Sequence, residues 1–385
     1  MDVGVLGEPA TLDPYDQRAS ELTYALVRPV FRMPFHREPD GSIEPDLAEN
    51  MEIDGHRARL RLVDAVWSDG RKIDARDVVL SVRRASRPSG FAAVRSARAV
   101  SSRTVELTGN VHNWKATLST GAFVLPKGRI KRGNIAAGPF RFSSYSRSRK
   151  LTYEPNPEAE AQPLLDRLTV SFVQSTELLL RLLERGSLDA AVLPSTVNLG
   201  DRLDEAGLSF DARRGSERIV LSFEPERVGR APATAVVRHI NRQLLEGTFL
   251  RDNGETIRAG KSTTEDPSLP AQLSIGAAEG DELLSLLQRA IQLQLEDAGS
   301  TVELITAPVA TVYGMWDDHA PADALLLRRY SPLRRGTQRD IRLDLPLASV
   351  DTFMAWREEA HGIAVDPSLE GPLWNAKDWW IEPSI

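Results

Sequence analysis

Six histidines are the first residues to test for chemistry: His36, His56, His112, His239, His319 and His361. None stands at the short spacing of a two-histidine zinc motif. Asp317-Asp318-His319 is the one acidic–histidine cluster. Three neighbours on a loop rarely converge on one ion, so no metal site is expected. Cysteine is absent, which removes thiolate nucleophiles, thiolate metal sites and disulfides. Gly4-Val5-Leu6-Gly7 lacks a third glycine and runs into Glu8-Pro9 instead of a helix, so it reads as a tight turn and not a dinucleotide loop. No Walker loop and no Gly-x-Ser-x-Gly elbow occurs. No catalytic residue and no cofactor is therefore expected. Four of the seven tryptophans, Trp356, Trp374, Trp379 and Trp380, gather near the C-terminal end. Such rings can stack on a ligand, but each buries ~200 Å² of mostly apolar area, so packing of a tail onto the body is the expectation.

The elements that position these residues alternate. Strand signals fall at Arg57–Val63, Thr104–Leu107, Phe140–Tyr145, Leu168–Val173, Ile219–Phe223, Thr301–Ile305 and Ala324–Leu327. Helices are predicted between them. Asp74 caps one, with Val78, Val79 and Val82 on its inner face. Ser175 or Thr176 caps a leucine-rich helix that Gly186 ends. Pro232 opens a helix carrying Val236, Ile240 and Leu244, with Gly247 behind. Leu283, Leu287, Ile291 and Leu295 share a face of another, stopped by Gly299. Strands and helices in this order indicate a mixed α/β (α+β) fold. Loops are expected at Arg129–Ala137, Gly254–Pro270 and the arginine-rich stretch from Tyr330 to Arg342.

At 385 residues the chain has room for two or three domains of ~150 residues. Hydrophobic residues at 41% and charged residues at 26% are enough for a real core, so disorder over most of the chain is excluded. A net charge of −6 argues against a nucleic-acid partner, which needs a basic face. Only seven of the 48 basic residues are lysine, and the arginines are scattered over the whole chain. No run approaches ~18 apolar residues, so no membrane span is expected. Met1 leads directly into Val3-Gly4-Val5-Leu6, with no charged and apolar leader behind it. The chain is expected either to be cytoplasmic or to have had a leader removed.

Five ordered motifs over about 180 residues carry a resemblance. They are Glu8-Pro9-Ala10-Thr11-Leu12-Asp13-Pro14, Asp40-Gly41-Ser42-Ile43-Glu44-Pro45-Asp46-Leu47-Ala48-Glu49, and Trp67-Ser68-Asp69-Gly70 with Asp74-Ala75-Arg76-Asp77-Val78. Gly138-Pro139-Phe140-Arg141-Phe142 with Glu154-Pro155-Asn156-Pro157, and Gly186-Ser187-Leu188-Asp189-Ala190-Ala191, complete the set. In this order they resemble the dipeptide/oligopeptide-binding class, family 5, of the extracellular solute-binding proteins of ABC transporters. Toward the C-terminus, Ile291–Leu304 and Gly371–Trp380 resemble the family's helix–strand and tail. Between Ala324 and Leu345 the chain is shorter than that family.

The resemblance implies a two-lobed, periplasmic-binding-protein-like clamshell with an inserted extra domain. Lobe I would comprise residues 1–34, 139–225 and 343–385, the inserted domain 35–138, and a shortened lobe II 226–342. The chain would cross between lobes near Glu224-Pro225 and Arg342. It implies a solute-binding protein of an ABC importer that captures a peptide or peptide-like solute and delivers it to permease subunits. The location would be extracytoplasmic, periplasmic or cell-surface, and the protein a monomer. The alternative is a ligand-binding sensor or relic module of the same fold, not coupled to transport. An enzyme is not expected. Candidate ligand-binding residues are Thr11, Leu12, Tyr24, Trp114, Phe223, Tyr313, Trp316, Arg328, Arg329 and Tyr330. Peptide-binding members of the family hold the ligand's amine on an aspartate in a segment matched here by Leu327-Arg328-Arg329-Tyr330-Ser331-Pro332. An arginine at that place suits carboxylate or phosphate, so an anionic ligand group on Arg328 or Arg329 is the expectation. The competing reading leaves both as surface charges.

Overall fold

A computed structural model describes residues 1–16, 18–38, 42–85, 93–128, 135–257, 268–313, 321–330, 343–364 and 371–382. Apolar alternation builds the strands of one large sheet. In chain order they are β1 (Asp2–Leu6), β2 (Phe140–Ser146), β3 (Lys150–Pro155), β4 (Leu168–Val173), β5 (Ala190–Pro194), β6 (Ser209–Phe223), β7 (Gly254–Thr256), β8 (Gln272–Ala278), β9 (Thr301–Ala307), β10 (Ala324–Tyr330) and β11 (Leu343–Trp356). Among the described residues the spatial order is β9-β8-β10-β6-β11-β5-β1-β4-β3-β2, with β7 beside β11. β1 lies parallel to β4 and β5, and β8 lies parallel to β9 and β10. The central pair β6–β11 is antiparallel.

This one sheet serves separate cores. Ile219, Leu221 and Phe223 at the end of β6 pack with Leu347, Ala348 and Val350 of β11 in one of them. Phe353 and Ala355, farther along β11, pack instead with leucines of the Thr176–Glu184 and Leu199–Glu205 helices, and Phe210 of β6 joins them. Met354, pointing the other way, belongs to a third core built on β1 and β4. The two long strands therefore run from one body into another.

The helices form where caps and periodic apolar residues coincide. They include α1 (Glu21–Val27), α2 (Ala75–Ala85), α3 (Thr176–Glu184), α4 (Leu199–Glu205), α5 (Arg230–His239), α6 (Glu282–Asp297) and α7 (Val309–Val312), together with other short helical segments. Ser175 caps α3 by accepting from the Leu178 N–H, and Gly186 behind it takes φ +70°, which glycine adopts without a Cβ clash. Asp281 caps α6 through the Leu284 N–H, and Leu283, Leu287, Ile291 and Leu295 enter the core beneath it. The helix expected from Pro232 to Gly247 is not continuous. α5 stops at His239, Ile240 turns extended, and the Asn241 side chain caps a new four-residue helix at Leu244. Leu244 is consequently half-exposed, although its spacing continues the apolar row.

Residues between α1 and β2 form the inserted unit. Its four-stranded antiparallel sheet runs in the order Ala48–Asp54, Arg57–Leu62, Thr104–Gly109, Val94–Ser101, with α2 packed on it. The buried Asp77 of α2 ties it together. Its carboxylate accepts from Trp67 Nε1 at 3.1 Å and from the Lys127 N–H at 2.7 Å. Toward the C-terminus, Trp379 is buried with its Nε1 on Asn375 Oδ1 at 2.8 Å, and Trp374 Nε1 reaches Ala364 O at 3.2 Å. Trp356 is partly buried against the same core. Trp380 departs from the packing expectation: it remains 41% exposed and stacks on His361 at 4.1 Å.

Candidate ligand-binding cleft

The sheet changes hands at one place. Residues Ser209–Arg213 of β6 pair with Thr352–Trp356 of β11, and that stretch of β11 also pairs with β5. Residues Glu217–Phe223 pair with Leu343–Val350, and with β10 on the other side. The register shifts between Arg213 and Glu217. Gly215 sits in the shift at φ +60° and donates its N–H to Asp351 Oδ1 at 2.8 Å. Three residues of β6, 214–216, face the single residue Asp351 there, and such an interruption of the ladder bends a strand locally. Burial raises the Asp351 pKa above the usual carboxylate range, while the Gly215 N–H and the Arg214 charge pull it back down.

A cavity of about 130 Å³ opens at this crossing. Val5 and Leu6 at the end of β1, Val192 to Pro194 of β5, and Leu22 and Ala25 of α1 line one side. Ala278 at the end of β8, Val309 and Tyr313 line the other, with Glu217, Asp281, Arg328 and Thr352 at the junction. Carboxyl ends of parallel strands, where the strand order changes direction, are where open α/β sheets place ligands. The walls are mostly apolar with a few convergent polar groups, as small-molecule sites are.

The polar corner is built around Arg328, which is only 5% exposed. Its Nε donates to Asp281 Oδ2 at 2.6 Å and its Nη2 to Asp281 Oδ1 at 3.0 Å, a fork on one carboxylate. Nη1 donates to Glu217 Oε2 at 3.0 Å, and Nη2 also reaches Ser195 O at 2.7 Å. Burial alone would lower the guanidinium's pKa; the Asp281 and Glu217 carboxylates override it and raise the pKa instead. Asp281 is thus helix cap and counter-ion at once. The Tyr313 hydroxyl accepts the Arg328 backbone N–H at 3.0 Å. Burial, with the Asp281 charge behind it, pushes the Tyr313 pKa up, so the phenol is neutral at any ordinary pH.

The two sides also touch at the rim. Thr196 Oγ1 donates to Glu282 Oε2 at 2.7 Å, and Asn253 Nδ2 donates to Thr196 O at 2.7 Å. The Thr176 N–H reaches Gly280 O at 3.1 Å. Gly280 takes φ +79°, and a Cβ there would lie 1.8 Å from Gln174 O. Gly7 faces Val309, whose Cβ would lie 2.7 Å from a built Cβ. Glycine at both points lets the two halves approach.

The sequence candidates scatter. Tyr313 and Arg328 line the cavity. Arg328 is not offered to an outside anion: two carboxylates already hold it. Arg329 pairs with Asp344 at 3.5 Å, and Tyr330 is the last residue of β10. Thr11 and Leu12 lie in the loop after β1, where Thr11 O accepts from Thr23 Oγ1 at 2.9 Å and Leu12 packs on the neighbouring core. Tyr24 stacks on Phe123 with ring centroids 6.0 Å apart and donates to Pro14 O. Trp114 and Phe223 are core residues in two different clusters, so their apolar rings face protein and not the gap. Trp316 and the Asp317-Asp318-His319 cluster lie outside the described residues. Among the described residues no group of three or more histidines and carboxylates is placed to hold a metal ion. Glu217, Asp281, Val309 and Thr352 were not among the candidates. Asp281 alone left a signal, as an acidic cap before a leucine-rich helix.

A family model described as bacterial extracellular solute-binding proteins, family 5, middle region, matches residues 42–239. No curated protein sequence matches the chain. Among solved structures, the oligopeptide-binding protein AppA of Bacillus subtilis, in complex with a nonapeptide, has a TM-score of 0.82 at 14% identity, covering 100% of this chain and 99% of that one. NikZ of Campylobacter jejuni, in complex with Ni(L-His), has a TM-score of 0.79 at 17% identity, covering 98% and 99%. The murein tripeptide-binding protein MppA of Escherichia coli has 0.80 at 15%, covering 99% and 98%. The fold they share with this chain is the mixed α/β, two-lobed one of periplasmic binding proteins.

Proposed function

The chain belongs to the family 5 bacterial extracellular solute-binding proteins, and on that premise we propose that it captures a peptide or peptide-like small solute in the cavity at the β6–β11 crossing and presents it to the permease of an ABC importer. The carrying observation is that one cavity is lined from both sides of the crossing, with Val5, Leu6 and Val192 opposite Ala278, Val309 and Tyr313. Lobe I is then residues 1–34, 139–213 and 352–385, the inserted domain 35–138, and lobe II 217–350. This puts the pivot at Gly215 and Asp351, earlier on the first strand than Glu224-Pro225 and later on the second than Arg342. A solute touching both lobes favours the closed form by its differential affinity for it. Among the described residues no helix is long and apolar enough to cross a membrane. An extracytoplasmic location and a monomeric state follow from the family reading.

The lack of native cysteine allows a direct test. Cysteines at Thr196 and Glu282, which touch across the rim, are bridged by a short thiol-reactive linker. Release of bound peptide from a pool of dipeptides to tetrapeptides is followed by mass spectrometry. The bridged protein should release bound peptide at least tenfold more slowly than the unbridged double variant. Equal release rates would rule out capture between the lobes.

A further inference from the structure

The inserted domain carries a charge excess that solute capture does not use. Residues 35–138 hold 18 basic and 12 acidic side chains, a net of +6, within a chain whose net is −6, so the remainder carries −12. Part of the excess lies on one face of the four-stranded sheet. Ala58, Leu60, Leu62, Val105 and Leu107 point inward to the core shared with α2. Alternation therefore turns Arg57, Arg59 and Arg61 outward, with Glu106 across from Arg59 and Arg98 across from Glu106. Three guanidiniums share the Glu106 carboxylate: Arg98 Nε at 2.7 Å, Arg59 Nη2 at 3.5 Å and Arg57 Nη1 at 4.0 Å. Glu106 is 3% exposed, whereas the three arginine side chains are 66%, 51% and 57% exposed, so the cationic heads lie outermost. Arg61 and Arg103 likewise share Glu49, at 3.3 and 3.9 Å. The face's other acids, Glu52 and Asp54, stand on the edge strand opposite Arg59 and Arg57. With all four acids counted the face is still net positive. Arg57 and Arg59 meet Glu106 only at long range, so most of their N–H donors face solvent. Guanidinium forks of this kind suit phosphate oxygens.

We propose that this arginine face docks reversibly on the phosphate layer of an anionic lipid bilayer. The charge division orients the encounter, because an anionic surface attracts the inserted domain and repels the acidic remainder. The open sheet face sets several guanidiniums against several headgroups at once. From the capture reading it takes one premise, a membrane holding the permease; what the cleft binds does not enter.

Co-sedimentation of the full chain with vesicles tests this, comparing phosphatidylglycerol and phosphatidylcholine in equal parts with phosphatidylcholine alone. Binding should occur only on the anionic vesicles. It should be lost as salt rises from ~0.01 M to ~1 M and the Debye length shrinks from ~30 to ~3 Å. Arg57→Gln with Arg59→Gln should weaken it roughly 25-fold, each arginine near an anionic surface being worth about fivefold. That pair leaves Arg98 on Glu106, so circular dichroism and melting temperature should hold. Arg185→Gln with Arg289→Gln removes the same charge from exposed sites outside the domain and should change binding less than twofold. No binding to the anionic vesicles at low salt, or equal weakening by both pairs, overturns the assignment. Retention on heparin beads without vesicle binding makes the partner a soluble polyanion and overturns it too. Peptide release from the linker-bridged protein reads capture separately, so the failure of either proposal is told from the failure of the other.

Discussion

Replacing Arg328 by alanine removes the one cation from a corner holding two buried carboxylates. Asp281 and Glu217 have side-chain exposures of 3% and 9%, so both carboxylates are largely desolvated and lean on the guanidinium. Breaking a buried pair by deleting one partner costs about 3–5 kcal/mol, because the remaining charge stays desolvated and unpaired. At roughly 2–4 °C per kcal/mol for a folding unit of 150–250 residues, the melting temperature should fall by roughly 6–20 °C. Differential scanning calorimetry reads this directly. Arg328→Lys keeps the charge but loses the fork on Asp281, so it should fall in between. Millimolar methylguanidinium should raise the melting temperature of Arg328→Ala and leave the native protein unchanged, since a ligand of the folded state stabilises it by mass action. A loss below about 1 kcal/mol, or no rescue, refutes the reasoning. It would mean the three groups do not depend on one another as their geometry states.

Three further outcomes follow from the packing. Asp77→Ala orphans the Trp67 indole N–H and the Lys127 amide. Each buried donor left without a partner costs about 1–3 kcal/mol, so the inserted domain should become the first part to melt and to be cut by protease. Asp351→Asn keeps an acceptor for Gly215 but removes the ionised form. Because burial raises the Asp351 pKa, the folded state loses stability as pH rises from the ordinary carboxylate range through that raised value. The native protein should therefore gain stability over that window on acidification, and Asp351→Asn should be at least as stable at pH 7 and flatter with pH. Equal pH slopes for both would contradict this. Ser175→Ala should cost about 1 kcal/mol through the lost cap on α3, visible as a shift in urea midpoint at constant m.

Much of the fold was legible because its signals are local. The caps at Asp74 and Ser175, the positive-φ stops at Gly186 and Gly299, and the apolar row from Leu283 to Leu295 each lie within one element. The row from Val236 to Leu244 misled, because spacing alone does not register that Asn241 restarts the helix. The proposed crossing differs from the expected one for another reason. β6 and β11 are separated by more than a hundred residues of chain, and which half of each strand pairs with which lobe depends on partners no window contains. The polar corner has the same difficulty. Arg328 signalled chemistry by type, but Asp281 and Glu217 are 47 and 111 residues away, so sequence could not show that its charge was already met. Trp114 and Phe223 illustrate the limit of residue type: an aromatic ring looks alike as cleft wall and as core.

The most direct test of two lobes pivoting at Gly215 and Asp351 is a distance between spin labels at Leu164→Cys and Leu293→Cys. Both sites are well exposed, at 64% and 61%, and they fall in the two proposed lobes, within 139–213 and 217–350. The measurement compares the labelled chain with the same chain carrying Gly280→Ala. The added methyl would sit 1.8 Å from Gln174 O and so wedges the rim. A shift of the distance distribution to larger separation, with both lobes' circular dichroism intact, is the predicted result. An identical distribution in the two proteins would contradict it.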